Sequence, residues 1–308
     1  MPLVLIVSVK GMHLRGCSSL APLEAEYHVG RKTISMRCIF CKLEASASKS
    51  VEHIIPESLW NTQHVLPRGV VCDNCNNYFS VKVEKPFLSS PAVTHLRFHE
   101  AIPSKRGKIP TIAGVVLPDI PVQLHRHIED PVKITINVPE DAYDQVVASC
   151  RGTLIFRTGD IPPADAIISR FLAKMAIEAL AHRVIGVHGG QDFIVDEVQF
   201  DTLRQHARNG IPVKWPHHSR RIYDADIERV DPHGKEYQTV HEFDFLYTEY
   251  GELYFVFALF GLELVINVGG PQIDGYVKWL ETHSGASPLY YGKNATEEET
   301  TNKAAPIR

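Results

Sequence analysis

The sequence predicts an α+β protein, in which a small zinc-clasped domain precedes a larger α+β domain with a long helix and an antiparallel meander. Two Cys-x-x-Cys pairs lie in the first quarter of the chain, a long helical pattern lies in the middle, and alternating apolar residues follow it. The 308 residues suffice for two domains, and 44% hydrophobic and 22% charged residues are ordinary for globular proteins. This composition excludes wholesale disorder and fibrous repeats.

The charge of the chain is divided along its length. The formal net charge of −4 does not by itself indicate a basic nucleic-acid-binding protein. Residues 31–108, however, contain 12 Lys and Arg against 6 Asp and Glu, whereas residues 109–308 contain 18 against 28. A basic segment followed by an acidic one favours two domains.

We therefore expect the zinc-clasped domain at residues 36–108 and an α+β domain of unassigned role at residues 109–293. Residues 1–35 are expected to be an N-terminal extension. The polar residues 294–308 are expected to form a disordered tail.

The apolar start of the chain indicates neither a membrane span nor a secretory signal. Pro2–Val9 is shorter than the roughly 18 apolar residues of a membrane helix, and no basic residue precedes it. We expect a buried strand or an incidental segment here, with Met12 or Met36 as alternative starts of translation. The expected location is the cytoplasm, without a membrane partner.

Four of the six cysteines follow the spacing of zinc ligands. They form two Cys-x-x-Cys pairs with 30 residues between them: Cys38, Cys41, Cys72 and Cys75. Two residues between cysteines let both thiolates reach one ion, and two such knuckles complete a tetrahedral structural zinc site. A disulfide framework is the alternative, which a large chain without a secretory signal does not favour. Cys17 and Cys150 lack a partner motif and are expected to be incidental.

Residues with acid–base character lie beside these pairs. Glu52 and His53 occur in a short apolar run that predicts a strand, where neighbouring side chains point to opposite faces. Asn76 follows the last cysteine directly, and Asn is a good helix N-cap, so the segment from Asn76 to about Ser89 is predicted to be a helix.

These residues together resemble the HNH (His-Me finger) endonucleases, specifically the subtype whose ββα-metal motif is clasped by a four-cysteine zinc knuckle. The resemblance covers about residues 36–90 and rests on the four cysteines, on Glu52, His53 and Asn76, and on the text EHIIPESL and VCDNCNNYF. It implies a fold of two short strands and a helix around a catalytic metal. It also implies hydrolysis of a DNA phosphodiester bond, with a 5′-phosphate and a 3′-hydroxyl as the products.

The resemblance assigns roles to individual residues. His53 matches the general base that deprotonates water, while Glu52 and Asn76 match ligands of a catalytic divalent metal. Their oxygen atoms suit Mg²⁺ or Mn²⁺, whereas thiolates suit zinc. The family often has a middle Asn before the second knuckle, which this chain lacks, and Asn61 or His64 are the candidates to replace it.

Each assignment has a plainer alternative. His53 could be a structural histidine, and Glu52 could orient it without binding metal. Asn76 could serve only as a helix N-cap, with Asn77 taking its place as ligand.

A set of basic residues in this segment is expected to contact nucleic acid, because Lys and Arg supply sequence-independent affinity for phosphates. The set is Arg68, Lys82, Lys85, Lys105 and Arg106. Lys82 and Lys85 are three apart and are expected to share a helix face. The expected partner is DNA, with RNA left open, and the acidic second domain could support a homodimer or bind a partner protein.

The remaining chain predicts fold more than function. Strands are expected at Val132–Val138 and Gly152–Arg157, helices at 162–184, 196–209 and 273–281, and a three-stranded meander at Glu242–Val268. Apolar residues at helical spacing predict a core stripe on the first helix: Ile167, Ile168, Phe171, Leu172, Met175, Ala179 and Leu180. Trp215–Arg221 combines aromatic, His and Arg residues and is either a nucleic-acid contact or a surface loop.

The sequence thus predicts a metal-dependent endonuclease acting on DNA, with restriction or phage defence among the compatible roles. The alternative is a non-catalytic zinc module that binds nucleic acid or protein. Glu52, His53 and Asn76 discriminate between them, because a purely structural knuckle does not need this trio.

Overall fold

The computed structural model describes residues 36–104, 106–130, 133–148, 152–156, 166–289 and 294–299. These residues belong to one compact unit that begins at Met36, and the fold is α+β. The expectations for residues 1–35, for Lys105 and for Cys150 lie outside the described residues. No helix in the described ranges is both long and apolar enough to cross a membrane.

The cysteine-containing segment folds into two short strands and a helical stretch. The elements are β1 (Glu52–His53), β2 (Val65–Leu66), α1 (Asp73–Phe79), α2 (Lys85–Leu88) and α3 (Pro91–His99). β1 and β2 are antiparallel, with Glu52 opposite Leu66 and His53 opposite Val65. A π-helical turn, Ser80–Glu84, joins α1 to α2. The predicted strand at Glu52 and His53 is confirmed.

The N-cap of α1 is Cys72, whose Sγ accepts a hydrogen bond from the backbone N–H of Cys75. The prediction that Asn76 caps this helix is therefore wrong. The physical reason is that the second cysteine knuckle itself forms the first helical turn, and its sulfur takes the orphan N–H group that an Asn cap would satisfy. Asn76 instead lies within the helix.

A second sheet follows, with the order β5-β4-β3-β6. Its elements are β3 (Ile112–Val116), β4 (Ile120–Arg126), β5 (Ile134–Asn137) and β6 (Leu154–Phe156), with α4 (Tyr143–Ala148) before the last strand. The two predicted strands are confirmed as β5 and β6 with shorter bounds. The central pair β3 and β4 was not predicted, because Gly114 and Pro121 are residues that argue against the interior of a strand.

Three helices cover the cysteine-containing segment: α5 (Ala166–Val184), α6 (Gly190–Asp196) and α7 (Asp201–Asn209). The predicted long helix is α5, of which the described part begins at Ala166. Most of its predicted core stripe is buried, but Ile167 is 38% exposed. The predicted second helix is confirmed in α7, although it starts five residues later than expected.

The third sheet has the order β12-β9-β10-β11-β7, with β8 also paired to β9. Its strands are β7 (His217–Arg221), β8 (Arg229–Val230), β9 (Glu236–Tyr247), β10 (Leu253–Leu259), β11 (Leu262–Asn267) and β12 (Thr296–Glu299), with α8 (Asp274–Thr282) between the last two. The predicted meander is confirmed as β9-β10-β11. The expectation of a disordered tail over residues 294–308 is wrong for Thr296–Glu299, because these residues form β12, which pairs with β9.

The patch at Trp215–Arg221 belongs to this sheet. Trp215 is buried and donates from Nε1 to the carbonyl oxygen of Asn267, while Arg220 pairs with the buried Glu263. A surface loop is therefore the wrong description, because β7 is hydrogen-bonded to β11 along its length. These contacts give the patch a structural role in the sheet.

One hydrophobic core joins the cysteine-containing segment to the later helices and strands. It includes Ile54, Phe79, Phe171 and Phe257, and the rings of Phe87 in α2 and Phe171 in α5 stack with centroids 3.8 Å apart. Helix α5 therefore lies under the first segment and against the third sheet. The division into domains at residue 108 stays a prediction.

Candidate metal centre and active site

The four patterned cysteines meet at one point. Their sulfur atoms all lie within 4.8 Å of one another, and Sγ of Cys41 is 3.6 Å from Sγ of Cys72. All four are free thiols, which excludes the disulfide alternative for this arrangement. It is also the only cluster of His, Cys, Asp or Glu within the described ranges that could hold a metal ion. Four convergent sulfurs fit a structural zinc site.

Helix α7, which follows the cysteines by more than 120 residues in the sequence, contacts this centre. Nη1 of Arg208 lies 2.5 Å from Sγ of Cys75, and Nε of Arg204 donates a 2.7 Å hydrogen bond to the carbonyl oxygen of Ile39, inside the first knuckle. Four thiolates around Zn²⁺ carry a net charge of −2, which the Arg208 guanidinium offsets in part. Such outer contacts orient metal ligands and tune the site.

A cavity of about 370 Å³ lies between β1, α1, α2 and α3. Its charged, imidazole and amide lining is Glu52, His53, Glu57, Asn76, Glu84, Lys85, Arg97 and Arg106. The three residues that the motif assigns to the catalytic centre are therefore brought to one cavity. Strand β1 supplies Glu52 and His53, and helix α1 supplies Asn76.

Glu52 is bound by a buried lysine that the sequence did not reveal. Nζ of Lys174, in α5, lies 2.6 Å from Oε1 of Glu52 and 2.7 Å from Oε1 of Glu84. It also lies 3.0 Å from Oε2 of Glu178 and donates to the carbonyl oxygen of His53 at 3.1 Å. The side chains of Lys174 and Glu178 are fully buried, and that of Glu52 is 5% exposed.

The carboxyl groups around Lys174 outnumber its single ammonium. Burial acts to lower the pKa of Lys174, but the surrounding carboxylates raise it well above its usual value, so the ammonium form is retained. Burial raises the pKa of Glu178 well above its usual range. Even with Glu178 protonated, Glu52 and Glu84 oppose one ammonium. An excess of negative charge therefore remains at the wall of the cavity.

The oxygen donors at this wall fit a hard divalent cation. Asn76 donates from Nδ2 to the carbonyl oxygen of Val51 at 2.9 Å, which leaves Oδ1 as the atom it offers a metal. Glu52 and Glu84 add carboxylates, and such oxygen sets suit Mg²⁺ or Mn²⁺. Lys174 contacts Oε1 of Glu52, and the alternative that Glu52 orients His53 without binding metal stays a prediction.

Of the two candidates for the missing middle Asn, Asn61 organises the loop between β1 and β2. It donates from Nδ2 to the carbonyl oxygens of Ile55 at 2.7 Å and His64 at 3.0 Å, and Oδ1 accepts from the His64 N–H at 2.9 Å. The His64 ring packs against Phe243, with centroids 4.9 Å apart. Asn61 therefore fixes the backbone that follows His53.

The predicted basic set is only partly assembled at the cavity. Lys85 and Arg106 line it, whereas Arg68 and Lys82 are exposed residues outside its lining. Lys105 lies outside the described residues. Arg97, another basic residue of this segment, also lines the cavity and is 7% exposed.

The missed residues left weak signals in the sequence. Lys174 and Glu178 form an i,i+4 pair inside the apolar stripe of α5, where charged residues are rarely buried unless they are paired. Arg97 lies in α3 beside the apolar Leu96 and Phe98. Neither pattern indicates which distant residues these side chains meet.

Comparison with known proteins supports the motif. Residues 38–91 match the family model described as HNH endonuclease. No curated protein and no solved structure matches the chain. The match includes all four cysteines together with Glu52, His53 and Asn76, and the family description indicates a nuclease with nucleic acid as substrate. The predicted resemblance is therefore confirmed: residues 38–91 are similar to HNH endonucleases and contain the four-cysteine cluster.

Proposed function

We propose that the protein is a metal-dependent endonuclease that hydrolyses DNA phosphodiester bonds. The observation that carries this proposal is the common cavity of Glu52, His53 and Asn76, which lies in the segment that matches the HNH endonuclease family. The cavity also contains the cations Lys85 and Arg106, which are suited to phosphate.

In this proposal His53 is the general base. A neutral imidazole can accept a proton from water, which makes the water a better nucleophile toward phosphorus. The backbone of His53 is held by Lys174 through its carbonyl oxygen, and Asn61 fixes the loop that follows. These contacts hold the imidazole at the cavity while the cationic residues bind the substrate backbone.

Glu52 and Asn76 would hold Mg²⁺ or Mn²⁺, which supplies stabilisation of the developing charge on the phosphate and the leaving oxygen. Zinc at the four cysteines would have a structural role only. We further propose a cytoplasmic protein with a role in restriction or phage defence. We also propose that the acidic C-terminal part of the chain supports a homodimer or binds a partner protein.

Nicking of supercoiled plasmid by the purified full-length protein in Mg²⁺ or Mn²⁺ tests the proposal. Replacement of His53 by Ala should reduce nicking by about 100-fold or more, since general-base catalysis contributes on this order, while the zinc content stays unchanged. His188→Ala is the matched control, because His188 is exposed in the turn between α5 and α6. Equal activity of wild type and His53→Ala would refute the role of His53.

The ion pair between Lys174 and Glu52 favours a second candidate, a non-catalytic zinc module that binds nucleic acid or protein. In that case the Glu52–Lys174 contact serves only to attach β1 to α5. Absence of cleavage of any DNA or RNA by protein loaded with both metals would support this candidate.

A further inference from the structure

Arg97 is a buried cation for which the described residues supply no hydrogen-bond partner at two of its three nitrogens. It lies in the last turn of α3 and lines the cavity shared by His53, and only 7% of its surface is exposed. Its Nε and Nη2 atoms are buried and make no hydrogen bond within the part of the chain that the structure describes. Two nitrogen atoms of a charged guanidinium, which carry three N–H groups, are thus left unsatisfied at a polar cavity.

Other buried arginines in the described residues are satisfied. Arg126, 8% exposed, donates from Nη1 to the carbonyl oxygens of Phe98 and His99. Arg204, 3% exposed, donates to carbonyl oxygens and to Asp201. The lack of partners at Arg97 is therefore specific to this position. It is costly, because a buried charge is ordinarily paired and hydrogen-bonded.

The electrostatics at Arg97 agree with the geometry. Burial lowers the pKa of Arg97, and no carboxylate offsets this effect. Arginine nevertheless stays protonated in proteins. The fixed charge therefore calls for an anion from outside the chain.

The shape of the group indicates which anion. A guanidinium presents parallel N–H groups that match two oxygens of a phosphate, which makes arginine suited to bidentate phosphate recognition. Arg106, Ser89 and Ser104 line the same cavity and add a second cation and two hydroxyl groups. These are the groups expected around a phosphodiester rather than a neutral ligand.

We propose that Arg97 binds a backbone phosphate of the nucleic acid in the cavity that contains His53. This inference rests on the proposed nuclease function and assigns a substrate-binding residue to it. The Nε and Nη2 groups of Arg97, which make no hydrogen bond within the described residues, are preorganised for the phosphate.

The first experiment uses inorganic phosphate and does not depend on cleavage. Inorganic phosphate should raise the melting temperature of the zinc-loaded wild type and should leave that of Arg97→Met unchanged, because a ligand stabilises only a state that binds it. Without phosphate, Arg97→Met should melt at or above the wild-type temperature, since Met removes an unpaired buried charge and keeps the length of the side chain.

Arg126→Met is the matched control, as a buried arginine of the same region with its hydrogen bonds made. Arg126→Met should melt at a lower temperature than the wild type, but phosphate should raise its melting temperature by the same amount. Arg97→Lys keeps the positive charge but lacks the parallel N–H groups of the guanidinium. Phosphate should therefore raise its melting temperature less than that of the wild type. Arg97→Lys replaces Arg97→Met if that variant fails to fold.

The second experiment measures DNA affinity in the His53→Ala background, where the DNA stays intact. Adding Arg97→Met should weaken binding at least about 30-fold, as for a lost buried charge contact. The slope of log affinity against log salt should become shallower by about 0.9, the value of one phosphate contact.

The outcomes separate this inference from the proposed function. The role of Arg97 would be overturned, even if the protein cuts DNA, if phosphate raised the melting temperatures of wild type and Arg97→Met equally. It would also be overturned if phosphate left the melting temperature of the wild type unchanged. A phosphate effect that needs Arg97 in a protein that cuts no nucleic acid would support the anion site and reject the nuclease. Unchanged DNA affinity and salt dependence would overturn the assignment to the DNA backbone.

Discussion

Lys174 Nζ lies 2.6 Å from Oε1 of Glu52, so an ammonium from helix α5, 122 residues further along the chain, pairs with the acidic residue of the Glu-His pair. The same ammonium contacts the carbonyl oxygen of His53. The position of β1 therefore depends on α5. The nuclease-like segment and the later helices are joined through this one side chain as well as through their shared core.

Replacing Lys174 by Met should strongly destabilise the protein. The change leaves the carboxylates of Glu52 and Glu84 around an apolar side chain in place of the ammonium, and removing one partner of a buried ionic cluster costs about 3–5 kcal/mol. Urea unfolding followed by circular dichroism gives the free energy of unfolding.

Lys214→Met is the control for this change, because Lys214 is exposed. A surface substitution of this kind should alter the free energy of unfolding by less than about 0.5 kcal/mol. A similar small effect for Lys174→Met would show that the carboxylate cluster does not need its cation.

The local parts of the site could be predicted from the sequence, and the distant parts could not. Cys-x-x-Cys spacing determines a metal site because each pair of ligands lies within one turn of chain, and Glu52, His53 and Asn76 are placed by the knuckles on either side. Lys174 and Arg97 could not be assigned, since burial of a cation depends on neighbours that sequence spacing does not reveal.

The same distinction holds for the fold. Helix α5 and the meander β9-β10-β11 have strong periodicity, and both were predicted close to their observed positions. The β3–β4 pair alternates between buried and exposed residues but was missed, because Gly114 and Pro121 lie inside its strands and argue against a strand in the sequence. The N-cap at Cys72 was missed because a metal-ligand motif and a helix start coincide there.

The cysteine cluster should bind one zinc ion per chain, and Cys72→Ser should lose it. Elemental analysis of the purified protein measures the zinc content, and thermal unfolding should show a large loss of stability, since binding of a structural zinc ion contributes directly to folding. Full zinc content in Cys72→Ser would contradict the four-cysteine site.

Arg208 should raise the affinity of this site without being a ligand. Arg208→Met removes the cation 2.5 Å from Sγ of Cys75 and should weaken zinc binding by about 10–100-fold, as for other groups that support metal ligands. Competition with a chromophoric chelator measures this affinity. Unchanged affinity would mean that the guanidinium only packs against Tyr78.

Stability should fall in mild acid because of His241. This residue is completely buried in β9, and burial, together with the nearby His64, lowers its pKa to about 3. The unfolded chain binds the proton at its ordinary pKa of 6.5, so stability is lost as the pH falls from about 6.5 toward 3.

His241→Phe tests this dependence. Between pH 6 and pH 5 the wild type should lose about 1 kcal/mol more of its unfolding free energy than the variant, since one proton contributes up to about 1.4 kcal/mol per pH unit. Urea unfolding at the two pH values measures the difference. Parallel pH dependences would show that His241 is protonated, or stays neutral, equally in both states.

Lys85 and Lys82 should differ in their contribution to DNA binding, although both are exposed on one continuous helical stretch. The π-helical turn Ser80–Glu84 has more residues per turn than an α-helix, so a spacing of three no longer places two side chains on one face. Lys85 lines the cavity and Lys82 does not. In the His53→Ala background, Lys85→Met should make the salt dependence of DNA affinity shallower by about 0.9, the value of one phosphate contact. Lys82→Met should leave it nearly unchanged, and equal effects of the two variants would place the DNA along the whole helix rather than at the cavity.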